Sequence, residues 1–376
     1  PRISFSRSSS ATYVEGGVIK YADEHQARFE EEGLLIEESR TNLFPYSEDF
    51  SDVSWTKSNT TVTTNSTSAP DNTNTADKLV TTNTNSSHYV VSVKAVTAAN
   101  HTVTLFSKSA EKEWLTINIF NGSTYLKYSF NVSTGQLGIS AAGGTSAITQ
   151  LANGWYKCTV SYTSTVTGNN SIHFHIYDDS STENFQGDGT SGLYVWGAQL
   201  EQGSFPTSYI PTSGSTVNRA ADVCTITGDN FNSWYNQSEG TVVTKMTDNG
   251  EPNTTDNRVI YYLGTGLSSG NNRIITTTGS AFGAYVQTTG AQVTITGGWY
   301  AKGVETVGAF AFKQDNFDLA TDGVIRGTDN LGDLPTCNRL YLLMNRNKAN
   351  TLCGHISRLS YYPRRLTDSA LQTLTL

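Results

Sequence analysis

The chain has 376 residues, enough for two or three domains of about 150 residues each and for a sizeable core. Only 15% of its residues are charged, against about 25% in an ordinary soluble domain, and Ser, Thr, Asn and 33 Gly make up the difference, a balance unlike that of a typical cytosolic enzyme. Its 25 Lys plus Arg against 33 Asp plus Glu give a formal charge of −8 with no basic run, which argues against a nucleic-acid partner. No stretch reaches the ~20 apolar residues of a membrane span and the opening PRISFSRSSS lacks a signal peptide's apolar core, so no membrane insertion is expected.

In chain order, residues 1–45 form a lead-in. Its run RFEEEGLLIEESR, from Arg28 to Arg40, brackets the apolar GLLI, and Pro45 follows. A segment this short builds no core of its own, so its strands are expected to add to another subunit or to the chain's own downstream sandwich. The Asn- and Thr-rich stretch from Ser58 to Ser87 resembles disorder in composition, but Val62, Ala76 and Leu79 interrupt it and read as strand positions. Period-two alternation then marks YVVSVKAV (from Tyr89), TVTLFSK (Thr102), WLTINIF (Trp114), WYKCTVSYT (Trp155), IHFHIY (Ile172) and LYVWGAQL (Leu193). The PTSYIPTSGST stretch, Pro206 to Thr216, carries two prolines and a Gly/Ser cluster and reads as a join between two units. Beyond it come TVVTKM (Thr241), RVIYYLG (Arg258), RIITTT (Arg273) and RLYLLM (Arg339). Helical spacing is confined to the C-terminal LTDSALQTLTL, where Leu366, Ala370 and Leu371 share a side. Short strands parted by Gly/Asn/Ser/Thr turns predict an all-β chain: two antiparallel β-sandwich (jelly-roll) domains in tandem, 46–212 and 213–376, behind the N-terminal strand/loop segment 1–45.

The four cysteines, Cys158, Cys224, Cys337 and Cys353, form no CxxC pair, so neither a zinc site nor a redox motif is legible, and Cys158 and Cys353 are expected to be small buried hydrophobes. Glycoside hydrolysis needs two carboxylates at about 5 to 9.5 Å. The pairs on offer are Glu37 with Glu38, Glu48 with Asp49, Asp178 with Asp179 and Asp315 with Asp318, and adjacent carboxylates on a strand point to opposite faces. No G-x-S-x-G elbow is present and the six histidines follow no motif, so no catalysis is expected.

Glycan binding requires flat rings for a sugar's apolar face with amides and hydroxyls around them. In SIHFHIYDD, alternation puts Ile172, Phe174 and Ile176 on a core face and His173, His175 and Tyr177 on the other; in WLTINIF it puts Leu115, Ile117 and Ile119 inward and Trp114, Thr116, Asn118 and Phe120 opposite. If the two strands are neighbours, Trp114, Asn118, His173, His175 and Tyr177 make a platform. Such a platform suits a glycan, a subunit interface or domain packing, and alternation alone does not choose among the three. His25 and His355 read as structural histidines.

Three segments resemble known modules. FSRSSSATYVEGGVIKYADEHQARFEEEGLLIEESRTNL, Phe5 to Leu43, resembles a module of tailed-bacteriophage virion proteins. NLFPYSEDFSDVSW (Asn42 to Trp55) with GLYVWGAQLEQGSFPTSYIPT (Gly192 to Thr212) is similar to the first and last strands of jelly-roll carbohydrate-binding modules of phage fibres and glycoside hydrolases. CGHISRLSYYPRRLTDSALQTLT, Cys353 to Thr375, resembles the closing strand and helix of a laminin-G or concanavalin-A-like sandwich. The resemblance implies a virion appendage (head fibre, spike, decoration protein or tail fibre) on the particle surface, binding host-surface polysaccharide and other virion proteins, as a homo-oligomer for which a trimer is the expected form. A purely structural decoration or connector role is the alternative. The resemblance assigns Trp55, Trp155 and Trp196 to packing, and it places Glu48, Asp49 and Glu201 near where related jelly rolls hold a structural calcium; no other cofactor is expected.

Overall fold

The computed structural model describes residues 3–250, 258–265, 272–278, 281–288, 292–298, 301–342 and 353–376. It is all-β apart from two short helices, and it divides into two compact units. One comprises residues 11–21 and 40–219; the other comprises 1–10, 22–39 and 220–376. The lead-in therefore does not stand apart. Its strands Ser4–Ser6, Arg28–Glu30 and Gly33–Ile36 join sheets built by the C-terminal part of the chain, while its Ala11–Glu15 and Val18–Ala22 strands form a separate hairpin. The Pro206–Thr216 stretch is likewise no free linker. Tyr209 is buried with its ring 4.5 Å from that of Trp196, and its hydroxyl lies 2.7 Å from Ser47 Oγ and donates to Glu48 at 2.8 Å. The chain crosses between units after Arg219.

The 11–219 unit is a sandwich of two antiparallel sheets. One runs Gln136–Ser140, Tyr125–Asn131, Trp114–Phe120, Gly168–Tyr177, Asn85–Val96, Asn184–Gln186, with Thr56–Ser58 also along Asn85–Val96. The other runs Gly144–Gln150, Tyr156–Thr163, Asn100–Ser109, Gly192–Gln202, Ala76–Thr81, Thr60–Thr67, so the Thr/Asn-rich stretch forms strands. Inward residues of both sheets, including Leu115, Ile117, Ile172, Phe174, Val103 and Leu105, are fully buried in one cluster, each contributing about 1.5–3 kcal/mol. Trp55 closes this core with its ring 5.4 Å from Phe174, and its indole N–H donates to Tyr46 O at 2.9 Å. Trp155 and Trp196 are buried in a neighbouring cluster and donate to Ser68 O and Thr75 Oγ1.

The two motifs that bracket this unit meet through Asn42. Its buried amide donates to Ala198 O and Ile210 O and accepts from Phe44 N and Leu200 N, at 2.9–3.1 Å, so both donors and both lone pairs of the amide are used. A bulge in Gly192–Gln202 shapes that contact: the register slips between Thr104 and Phe106, and Gly197 takes φ +65° with its Cα facing the Phe106 ring. An added Cβ would lie 2.7 Å from that ring. Gly197→Ala is therefore expected to cost about 2–4 kcal/mol, strain plus overpacking, seen as a lower urea midpoint at unchanged slope.

In the other unit, Ser4–Ser6, Val223–Thr227, Arg339–Leu342, Arg258–Gly264, Arg273–Thr278, Gly283–Gln287 and Gln292–Thr296 form one sheet. Val324–Asp329, Asn316–Thr321, Glu305–Lys313, Glu239–Asp248, Gly354–Tyr362, Gly33–Ile36 and Arg28–Glu30 form the second. A common cluster containing Cys224, Leu263, Leu340, Val242, Phe310 and Phe312 lies between them. Leu343 and Met344 of the RLYLLM run lie outside the described residues. The C-terminal helix is Asp368–Leu374, capped by Thr367, and it seats Leu371 with Leu366 against Val243, Ala309 and Ala320. A second helix, Asp229–Asn232, was not expected, since four residues are too few to show a helical period. All four cysteines are buried and none is in a disulfide, and burial raises Cys158, Cys224 and Cys337.

Candidate binding face

The Trp114–Phe120 and Gly168–Tyr177 strands are neighbours, and their antiparallel register sets Trp114 opposite Tyr177, Thr116 opposite His175, Asn118 opposite His173 and Phe120 opposite Ser171. All five platform residues thus share one outer sheet face. The flanking strands extend it: Tyr89 pairs with His175 and Val91 with His173, while Ser129, Lys127 and Tyr125 pair with Thr116, Asn118 and Phe120. The rings form a continuous row, with Phe120 to Tyr125 at 5.1 Å, Tyr125 to His173 at 5.9 Å, His173 to Tyr89 at 5.1 Å and Tyr89 to His175 at 4.5 Å between centroids.

Exposure separates these residues into a rim and a floor. Trp114, Tyr89, Phe120, His173 and Lys127 are half-buried and Tyr125 is 57% exposed, whereas His175, Asn118 and Tyr177 are buried, so the outer sheet face that alternation assigns to them is largely covered. The reason is the chain that follows the Gly168–Tyr177 strand. Asp179 accepts from Ser181 N and Thr182 N at 2.8 and 2.7 Å and folds the loop back, Asp178 pairs with Lys112, and Glu183 lands beside the floor, 2.5 Å from Lys127 Nζ and 3.7 Å from His175 Nδ1. Tyr89 covers the other side of His175.

The floor is unusual in its hydrogen bonding. Asn118 Oδ1, His173 Nδ1 and both ring nitrogens of His175 are buried with no hydrogen-bond partner, whereas buried polar atoms are paired in the large majority of cases. Burial, with His173 and Lys127 alongside, pushes His175 down to about 3, and burial lowers His173 as well, so both rings are neutral at pH 7. A neutral imidazole offers one donor and one acceptor. Burial and the Glu183 carboxylate raise Tyr177, which keeps its hydroxyl protonated.

Alternation in the sequence could have supplied Tyr89, first of the YVVSVKAV run, and Tyr125 and Lys127 of YLKYSF. Nothing in the sequence signals Glu183, whose role depends on how one loop folds. The other carboxylates of interest are engaged elsewhere. Glu201 accepts from Thr207 N, Thr207 Oγ1 and Gln199 Nε2, Glu48 from Tyr209, and Asp49 from Ser51. Glu37 bonds Arg28, and Asp318 pairs with Arg365. Among the described residues, the carboxylate and histidine group close enough to share an ion is Glu30, Glu32 and His355, where His355 Nε2 already lies 2.9 Å from Glu30. His25 Nδ1 accepts from Arg7 N at 3.3 Å.

No protein-family model matches the chain, and no curated protein sequence matches it. Among solved structures it is similar to the CBM40 domain of Ruminococcus gnavus IT-sialidase bound to α2,3-sialyllactose, with 16% identity over 37% of this chain and 84% of that one, TM-score 0.32. Mouse laminin α1 domains LG4-5 match at 11% identity over 76% and 92%, TM-score 0.25. Trypanosoma rangeli sialidase with the inhibitor DANA matches at 12% identity over 80% and 60%, TM-score 0.30. Likeness of this degree concerns β-sandwich architecture alone.

Proposed function

We propose that the 11–219 unit is a glycan-binding module of a particle-surface appendage, the kind found on tailed bacteriophages and phage-derived particles, and that it attaches the particle to host-surface polysaccharide by binding without chemistry. The observation that carries this reading is the row of partly exposed rings above buried polar atoms that lack partners, on one face of one sheet. The apolar face of a sugar stacks on Tyr89, Trp114 and Tyr125, and its hydroxyls, each donor and acceptor, reach the imidazoles and the Asn118 carbonyl between Lys127 and Glu183. The likeness of residues 5–43 to a phage virion module supports the particle setting, the contacts with other virion proteins and the homo-oligomer, for which we propose a trimer.

The test is binding of the full chain to bacterial cells and to their extracted surface polysaccharide, beside Trp114→Ala and Tyr125→Ala. Tyr125 is exposed and Trp114 half-buried, so truncating them should disturb the fold less than truncating the buried His175 or Tyr177, and a urea-unfolding curve of each variant checks this. Loss of about 2 kcal/mol per ring, some thirtyfold in Kd, is expected. Saturable binding unchanged by both substitutions removes the site from this face, and absence of binding to any cell or polysaccharide leaves the structural decoration role.

A further inference from the structure

We infer that the ring platform selects uncharged sugars and rejects acidic ones; this rests on the glycan-binding reading above. Acidic sugars carry carboxylate, sulfate or phosphate groups, which proteins recognise with guanidinium forks or free ammonium groups. The unit formed by residues 11–21 and 40–219 has two arginines, Arg40 and Arg219, and both are buried where its ends close. Arg40 lies 4.7 Å over the Phe205 ring and 3.9 Å from Glu201, and Arg219 donates to Ser208 Oγ at 2.7 Å. Neither belongs to the strands of the platform.

The cations near the platform are neutralised. Lys127 is held by Glu183 at 2.5 Å, and Lys112 pairs with Asp178 while covering the Phe185 ring at 4.7 Å. The rim itself is acidic, with Asp178, Asp179 and Glu183 in one short loop. Directly beneath the rings lie the buried Asn118 carbonyl oxygen and uncharged imidazoles, which a ligand group reaches only by displacing part of the ring cover. A hydroxyl satisfies these atoms because it donates and accepts. A carboxylate only accepts, so it could use an imidazole N–H but would face Asn118 Oδ1, the imidazole lone pairs and Glu183 as repelling acceptors while giving up its own water, and the nearby Lys127 and Lys112 are already paired with Glu183 and Asp178.

The experiment measures affinity of the full chain for matched pairs: extracted host polysaccharide before and after chemical reduction of its carboxyl groups, galactan with polygalacturonate, and lactose with sialyllactose. The neutral member of each bound pair is expected to bind at least tenfold tighter, with less than twofold change between 0.05 and 0.5 M NaCl, about what uncharged contacts allow. Glu183→Gln, which frees Lys127, is expected to narrow the neutral-to-acidic ratio at least tenfold. Acidic members that bind as tightly as neutral ones, and lose binding in Trp114→Ala, overturn the selectivity while leaving the binding face in place. Acidic binding that survives Trp114→Ala, or no binding to any member, overturns the glycan-binding reading and the selectivity with it.

Discussion

Replacing Asp222 by alanine is expected to cost about 3–5 kcal/mol of stability, because it removes the carboxylate that two buried guanidinium groups share and leaves their site with a net positive charge. Asp222 Oδ1 accepts from Arg7 Nη1 at 3.1 Å and Oδ2 accepts from Arg28 Nη2 at 2.5 Å and from Glu37 N at 2.8 Å. Arg28 Nη1 in turn donates to Glu37 Oε2 at 2.7 Å, and Asp222 N donates to Glu37 O. Arg7, Arg28 and Asp222 are at most 1% exposed, and two positive charges face two negative ones, so the group is neutral as a whole. Removing Asp222 leaves a net buried cation; Asp222→Asn keeps one acceptor and should lose less. Urea unfolding at pH 7 measures both, with Glu24→Ala, at an exposed position of the lead-in, as the reference for a carboxylate whose loss costs little. A cost for Asp222→Ala within 1 kcal/mol of that reference would show that the network does not hold the lead-in strands to their sheets.

The lead-in is expected, from its length, to add its strands to another subunit or to a sandwich further along the chain, and this network shows what holds them to the latter, which the segment's own residues do not signal. The acidic and basic residues from Arg28 to Arg40 look like a solvated charge run, and their spacing gives no hint that Arg28 and Glu37 turn inward to a carboxylate nearly two hundred residues away. Alternation is a local signal, so it located the Trp114–Phe120 strand and the inward and outward sets of Gly168–Tyr177 from side-chain order alone. Strands such as Gln136–Ser140 and Gly144–Gln150, rich in Gly, Ser and Thr and lying at sheet edges with mostly exposed residues, carry almost no hydrophobic contrast and went unrecognised. The candidate face divides in the same way. Which residues share it follows from pairing two recognised strands, whereas the burial of His175 and Tyr177 follows from Tyr89 across the sheet and from Glu183 in a loop, and neither approach is encoded in the spacing of IHFHIY.

Acid should unfold the 11–219 unit partly through His175. The ring is held to about 3 in the folded chain by burial and by its neighbours His173 and Lys127, and an unfolded histidine titrates near pH ~6.5. Between these values the unfolded chain binds the proton and the folded chain does not, so the stability contributed is complete above about 6.5 and is lost as pH falls toward 3. The groups facing His175 are Tyr89, Thr116, His173, Tyr177, Lys127 and Glu183, and Glu183 at 3.7 Å is too far to hold a proton on the ring by a hydrogen bond. From pH 7.5 to 4.5 the loss from this one group should be about 2–3 kcal/mol. Asp77, raised to about 6 by burial, acts in the opposite sense over the same range, so the wild-type curve alone does not isolate the histidine. His175→Phe keeps a ring against Tyr89 and removes the titration; its unfolding free energy should fall by about 2 kcal/mol less than that of the wild type over this interval, and parallel curves would mean that the folded chain accepts the proton on His175. Under the glycan-binding reading proposed above, the same neutrality would matter for recognition, because a protonated imidazole only donates whereas a neutral one also accepts.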